Sequence, residues 1–317
     1  MGRISALVEL ARKTIKFGPY ITLGNVVLTH GRNILPENVI KMLASSRNEK
    51  IQKRLLPLVK NTIKEYSNQG ISYSKDWNNT IWICWLQGEE NMPPIISLCL
   101  HNIRRYANGH EVKVITQANF AEYVEIDPVI LKKYDEGIIK NCHFADILRI
   151  CLLAQKGGLW MDATLLCTSP IDSVFFEKDF YTIKLVPYGN FVSQCRWSVY
   201  CLSAKSGNKL FVLLEKLFSV YLAENDYFID YFLFDQFIDM LYNNDPEIKS
   251  MIDNVEQSNL GIQNLNPILL KSYDRTIWEN LTCDTSIFKL SWKSYSERQI
   301  KEAGDNTYYS CILKEII

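Results

Sequence analysis

Asp146, Arg149 and Asp162 stand inside a largely apolar stretch, residues 142–168, which reads CHFADILRICLLAQKGGLWMDATLLCT. Asp146 and Arg149 fall within a helix-like run that stops at Gly157-Gly158, and Asp162 follows a short apolar segment, 159–161. Asp146 and Arg149 are three residues apart and therefore share one helix face. Phe144, Ile147, Leu148, Cys151 and Leu152 cover the remainder. Gly157 suits the end of the run, because glycine takes the left-handed conformation without penalty. Residues 159–161 then read as a strand with Asp162 at its carboxyl end, where ligands sit in open α/β sheets. Buried charge is costly unless it is paired, hydrogen-bonded or used. Two readings fit: an i,i+3 ion pair plus an aspartate that opens a loop, or a set of charges gathered around a polar ligand.

Three further segments carry chemistry-capable residues. Residues 81–88, IWICWLQG, alternate as a strand and end in a glycine loop, with Trp85 near the strand end. Residues 230–235 read DYFLFD, and residues 288–293 read FKLSWK. With the central stretch, these resemble the capsular polysaccharide synthesis glycosyltransferases. More distantly, they resemble the initiating mannosyltransferase-like sugar transferases and the large clostridial glucosylating toxins. The signature S/A-D-I-L-R, L-L, G-G-x-W/Y-x-D stands here as Ala145-Asp146-Ile147-Leu148-Arg149, Leu152-Leu153 and Gly157-Gly158-Leu159-Trp160-Met161-Asp162. The likeness spans roughly residues 80–310, and an ordered set of four segments is more specific than any one alone.

The resemblance implies a GT-A-like nucleotide-sugar-binding α/β fold, a mainly parallel sheet flanked by helices. It implies transfer of a sugar from a nucleotide sugar, a UDP-hexose, to a lipid-linked saccharide in bacterial capsular or surface polysaccharide assembly. Retention of anomeric configuration follows by analogy only. Trp85 matches the tryptophan that stacks on the nucleotide base; its alternation with Ile81 and Ile83 also fits a core residue. Asp146 and Arg149 match a pair that contacts donor sugar and ribose. Asp162 matches the first carboxylate of a D-x-D, close to a divalent metal, magnesium or manganese. The second carboxylate position is Thr164, which leaves metal coordination to a hydroxyl or a water, or to another acid such as Asp172 or Asp235. Alternatively, Lys289 or Lys293 neutralises the departing diphosphate directly. Asp235 reads as a carboxylate on the acceptor or sugar side, or as a helix-surface acid; Asp230, five residues earlier, does not share its face. His143 reads as structural. Two rival functions are a toxin-like protein glycosyltransferase and a non-catalytic nucleotide-sugar-binding scaffold.

The elements that must position these residues follow from pattern. Residues 81–86 and 111–115 read as strands, and 95–106 as a helix. Helical turns are expected in 120–134. Further strands are expected at 181–186 and 198–203, and helices at 209–222 and 227–242. Alternating strands and helices favour a parallel sheet covered on both faces. Ahead of this unit, residues 1–76 read as a helical extension and linker, leaving 77–317 as the transferase domain. Helices are expected at 37–44 and at 50–66, the second interrupted or kinked at Pro57. Residues 1–17 place Ile4, Leu7, Val8, Ala11 and Ile15 on one stripe with Arg3, Arg12, Lys13 and Lys16 mostly off it. Such a helix either packs on the domain or contacts an anionic membrane surface.

Composition narrows the classes. Apolar residues make up 47% of the 317, enough for a sizeable core. Lys plus Arg and Asp plus Glu are both 35, which lacks the basic excess of a nucleic-acid binder. The nine cysteines form no C-x-x-C and neither they nor the four histidines have zinc spacing. They point to reduced thiols in the cytoplasm. No secretory signal or spanning apolar segment is read, so peripheral attachment at the inner membrane face is the expected limit of membrane contact. P-loop and nucleophile-elbow motifs are missing.

Overall fold

The computed structural model describes residues 3–30, 34–69, 78–189 and 191–316. The chain opens with α1 (Arg3–Phe17), α2 (Pro19–His30) and α3 (Glu37–Gln69). Next come β1 (Thr80–Cys84), α4 (Pro94–Arg105), β2 (Glu111–Ile115), α5 (Phe120–Tyr123), α6 (Pro128–Asp135), α7 (Asn141–Gln155) and β3 (Gly158–Met161). They are followed by β4 (Leu165–Cys167), α8 (Val174–Glu177), β5 (Phe180–Thr182), β6 (Cys201–Ala204), α9 (Lys209–Glu224), α10 (Leu233–Asn244) and α11 (Pro246–Asp253). α12 (Arg275–Thr282), β7 (Ile287–Lys289), α13 (Glu297–Glu302) and α14 (Tyr308–Leu313) close the chain.

The main sheet has the order β2-β1-β3-β6-β5. β1 is parallel to β2 and β3, and β6 is antiparallel to β3 and β5. The sheet is thus mainly parallel, with β6 reversed. Side chains alternate between its faces, as the two-residue strand period requires. Trp82, Trp160, Leu202 and Ala204 join the core built from α3, α7, α9 and α10. Ile81, Ile83, Leu159 and Met161 pack on the other face against Ile96, Leu100 and Ile103 of α4. The expected mainly parallel, helix-flanked α/β architecture is what the chain forms.

Several local expectations are corrected. Residues 37–69 form one uninterrupted helix with Pro57 inside it, where two helices were expected. Proline costs a helix about 3 kcal/mol. Here Ile51, Leu55 and Val59, spaced by four, are 0%, 5% and 0% exposed, and each such burial contributes roughly 1.5–3 kcal/mol. Packing outweighs the proline. α10 starts at Leu233, so residues 227–232 are not helical as expected; Asp230 is buried there and tied to Arg47 of α3. The expected strand at 181–186 is reduced to Phe180–Thr182 with an isolated bridge at Lys184. Residues 120–134 hold two short helices.

The N-terminal helices rest on the body of the protein: Phe17, Ile21, Ile51, Leu55 and Val59 share a core with α7, α9 and α10. The stripe expected to pack or to meet a membrane faces outward among the described residues. Leu7, Val8, Ala11 and Ile15 of the stripe are all exposed, whereas Phe17, off the stripe, is buried; the side chain of Ile4 and the linker boundary near residue 76 lie outside the described residues. Among the described residues no helix is long and apolar enough to cross a membrane.

Candidate functional site

The helix–turn–strand unit places its charges through two glycines. α7 ends at Gln155 with Lys156 as its C-cap, and Gly157 follows at φ +69°, its N–H closing on the Leu152 carbonyl at 3.1 Å. A Cβ on Gly157 would stand 2.5 Å from the Ser206 nitrogen, and one on Gly158 (φ +101°) 2.6 Å from the Thr80 carbonyl oxygen. Both positions require glycine for conformation and for close approach. The Trp82 indole N–H donates to the Gly157 carbonyl at 2.8 Å, which pins the turn to β1. β3 then enters the centre of the sheet and delivers Asp162 just beyond its carboxyl end.

Asp162 is the hub. Its Oδ1 accepts from Arg149 Nη2 at 3.2 Å and from the Trp160 indole N–H at 3.0 Å. Its Oδ2 accepts from Lys289 Nζ at 2.6 Å. Arg149 Nη2 also lies 3.3 Å from Asp146 Oδ1, so one guanidinium nitrogen spans both carboxylates. Arg149 Nη1 donates to the Val199 carbonyl, and the guanidinium lies 4.8 Å from the Trp160 ring centroid and 5.6 Å from that of Phe234. Burial alone would raise the Asp162 pKa. The Lys289 and Arg149 cations, with hydrogen bonds from Lys289 and Trp160, outweigh that and hold it below the usual carboxylate value. Arg149 Nε is buried and finds no hydrogen-bond partner among the described residues.

Lys289 arrives from 127 residues away in sequence. The two-stranded antiparallel ladder β4–β7 brings it there, with Leu165 opposite Lys289 and the Leu290 N–H bonded to the Thr164 carbonyl at 2.9 Å. The strand that follows Asp162 is therefore paired with the strand that carries the lysine. Beyond them a cleft of about 410 Å³ is lined by Thr164, Gln263, Asn266, Lys289, Leu290, Ser291, Trp292 and Lys293, a size typical of small-molecule sites. Trp85, partly buried at the end of β1, meets Trp292 edge to face at 6.1 Å. Another cavity, about 320 Å³ between α3, α6, α7 and α9, shares no residue with the Asp162 cluster.

Asp146, Arg149, Asp162 and Lys289 are thus in direct contact. Lys293, Thr164 and Trp85 border the same region through the cleft and Trp292. Asp235 sits apart from the hub: its Oδ1 accepts from the Trp197 indole N–H at 2.9 Å. Burial pushes the Asp235 carboxyl up to about 7; the Trp197 bond opposes the rise, and the Asp146 charge adds to it. His143 stacks on Phe228 at 3.9 Å, with Nδ1 3.9 Å from Asp146 Oδ2. Asp172 instead accepts from the Val174 N–H at 2.9 Å, at the start of α8.

Sequence reading missed several partners. Trp160 lies on β3 two residues before Asp162, and that spacing could have identified it, since alternate residues of extended chain share a face. Trp292 lies inside the quoted FKLSWK segment. Trp197 and Tyr200 had no local signal. Tyr200 reaches the site because β6 pairs with β3 and its carbonyl accepts the Asp162 N–H at 2.9 Å, while its ring lies 4.8 Å from Lys289 Nζ.

The expected metal residues were Asp162 and Thr164. Both Asp162 oxygens face cations or an indole N–H. Among the described residues no group of three or more His, Cys, Asp and Glu could hold an ion. Magnesium favours octahedral oxygen coordination, and these two residues do not supply it. The site as built is a carboxylate–guanidinium–ammonium cluster beside an aromatic cleft, suited to hydroxyl groups and to a polyanion.

An α/β protein with such a cluster at a strand end is defined by fold and site together. Residues 31–312 match the family described as capsular polysaccharide synthesis protein, and the chain belongs to that family. Among solved structures, "PaToxG Glycosyltransferase" superimposes with a TM-score of 0.37 at 13% identity, over 87% of this chain and 96% of that chain. No curated protein sequence matches.

Proposed function

We propose that the chain is a glycosyltransferase that moves a hexose from a UDP-sugar to a lipid-linked saccharide acceptor during capsular or surface polysaccharide synthesis. The observation that carries this reading is the sharing of the Asp162 carboxylate between Arg149 and Lys289 at the border of a cleft holding Lys293 and Trp292. Family membership supports the polysaccharide setting. Retention of configuration rests on resemblance alone.

Under this reading Trp85 and Trp292 offer ring faces for the base, an interaction worth roughly 1–3 kcal/mol. Asp146 and Asp162 accept hydrogen bonds from sugar and ribose hydroxyls, and Arg149 holds both carboxylates in place. Lys289 exchanges its bond to Asp162 for one to the donor diphosphate, and Lys293 adds a second positive charge. The anomeric C–O bond to the diphosphate breaks, and its electron pair passes to a phosphate oxygen held by these lysines. The acceptor hydroxyl oxygen bonds to the anomeric carbon, and its proton leaves to the departing phosphate. Asp235, whose carboxyl stays protonated up to about pH 7, donates a hydrogen bond on the acceptor side. A magnesium or manganese ion joining this site would draw most of its ligands from the donor's own phosphates.

A donor screen tests the proposal. UDP-hexoses should raise the unfolding temperature, since a ligand that binds only the native state stabilises it. Lys289→Ala should lower donor hydrolysis about 100-fold, in the range of lost preorganised charge, and by more than chelation does. Equal hydrolysis by Lys289→Ala and the parent would reject cationic leaving-group stabilisation. A full loss on chelation with little loss in Lys289→Ala would assign that role to a metal.

A further inference from the structure

The first two helices turn apolar side chains outward. Leu7 and Ile15 of α1 are 66% and 86% exposed, and Leu23 of α2 is 54% exposed; Val26 and Val27 are exposed beside it. These are not displaced core residues, because the hairpin has its own inner face. Phe17 and Ile21 are buried in the main core, and the Thr14 and Thr22 hydroxyls bond to each other at 3.0 Å. α2, PYITLGNVVLTH, carries no Asp, Glu, Lys or Arg. The acid of α1, Glu9, is paired with Lys13 at 2.8 Å.

The segment that carries this apolar face is basic in sequence. Residues 1–69 hold twelve Lys and Arg against four Asp and Glu, in a chain whose totals are 35 and 35. An exposed apolar surface on a segment of net positive charge fits an anionic bilayer. It does not fit a second copy of the chain, because a two-fold interface would set like charges against each other. α2 spans only 12 residues, about 18 Å of helix against a hydrocarbon core of ~30 Å, so the hairpin lies on the bilayer and does not cross it.

The hairpin is also tied to the Asp162 site. Arg47 of α3 donates to Asn25 Oδ1 of α2 and pairs with Asp230. The next two residues, Tyr231 and Phe232, are 62% and 48% exposed. The Tyr231 ring lies 5.3 Å from that of His143, which neighbours Asp146. We propose that the α1–α2 hairpin docks on an anionic bilayer, and that the Arg47 clamp sets the Tyr231–Phe232 lip, and with it the Asp162 site, toward an acceptor held in that bilayer. The docking stands alone; the orientation toward acceptor rests on the lipid-linked acceptor reading above.

The test uses the full chain and vesicles of phosphatidylcholine with or without phosphatidylglycerol. The parent should sediment with phosphatidylglycerol vesicles and be released by high salt, which screens surface charge. Leu23→Glu with Val27→Glu should weaken that binding by roughly tenfold or more, with an unchanged unfolding temperature and unchanged hydrolysis of donor. If the double variant fails to fold, Ile15→Glu, at the more exposed position, replaces it. Binding equal to the parent by a folded variant overturns the proposal, as does failure of the parent to bind. A parent that self-associates in solution and is made monomeric by the substitutions would make this face a protein interface and also overturn it. Because vesicle binding needs no donor, absence of sugar transfer would reject the enzymatic reading while leaving docking standing. Docking with transfer to soluble acceptor only would reject the orientation.

Discussion

Two arginine–aspartate clusters in this molecule use the same chemistry in opposite ways. Around Arg47 every guanidinium nitrogen has an acceptor: Asn25 for Nε, Asn48 for Nη1 and Asp230 for Nη2. Asp230 in turn accepts from Gln236 Nε2 at 2.9 Å, and the two charged side chains are 8% and 2% exposed. Around Arg149 the accounting stays open. Its Nε has no hydrogen-bond partner among the described residues, its Nη2 is divided between Asp146 and Asp162, and those carboxylates are 25% and 28% exposed. A closed cluster fixes a loop to a helix. An open one, with hydrogen-bonding capacity left over at a cleft, is built to exchange partners. Completeness of pairing, more than the presence of buried charge, separates the structural cluster from the candidate site.

The largest expected effect breaks the closed cluster. Asp230→Ala leaves Arg47 buried without its counter-charge, which costs about 3–5 kcal/mol of stability. Urea unfolding should show it, while donor hydrolysis per folded molecule stays within a few-fold of the parent. An unchanged unfolding midpoint would show that Arg47 finds another acceptor and would remove the contrast. Breaking the open cluster should invert the pattern. Asp162→Ala leaves Arg149 paired with Asp146, so stability should stay within about 1 kcal/mol. Turnover should fall about 100-fold or more, about 2.7 kcal/mol in activation free energy. A well-folded Asp162→Ala protein with near-parental turnover would move the chemistry elsewhere.

The open cluster was more legible in sequence than the closed one, for a physical reason. Asp146, Arg149, the two glycines and Asp162 lie within 17 consecutive residues of one helix–turn–strand unit, and helix and strand periods fix how such neighbours face one another. Lys289 could be named from the resemblance, but its bond to Asp162 depends on the β4–β7 ladder, a pairing across more than a hundred residues. Nothing near Asp230 signals Arg47, so residues 227–242 read as one helix by apolar spacing. The clamp to α3 holds the first part of that segment out of the helix. Pro57 misled in the other direction: its local cost is visible in sequence, and the core that offsets it is not. The reversed strand β6, which brings Tyr200 to Asp162, likewise follows from tertiary pairing.

The smallest expected effect sharpens the comparison, because Asp235 belongs to neither cluster. Its Oδ1 accepts from the Trp197 indole N–H, and burial pushes its carboxyl up to about 7. An unfolded chain releases that proton near the ordinary aspartate value of about 3.9. Between these two values the native state binds more protons than the unfolded state, so stability from this group falls as pH rises through that window and levels off above it. Asp235→Asn keeps an oxygen for Trp197 and removes the titration. Its stability relative to the parent should therefore rise from pH 4 to pH 7 and then plateau. A gain on the order of 1–2 kcal/mol is expected after discounting for partial exposure. Unfolding midpoints of both proteins at pH 5 and pH 8 measure this. A pH-independent difference would mean that Asp235 ionises in the folded protein as an ordinary surface acid. It would then be no neutral hydrogen-bond donor at the acceptor side.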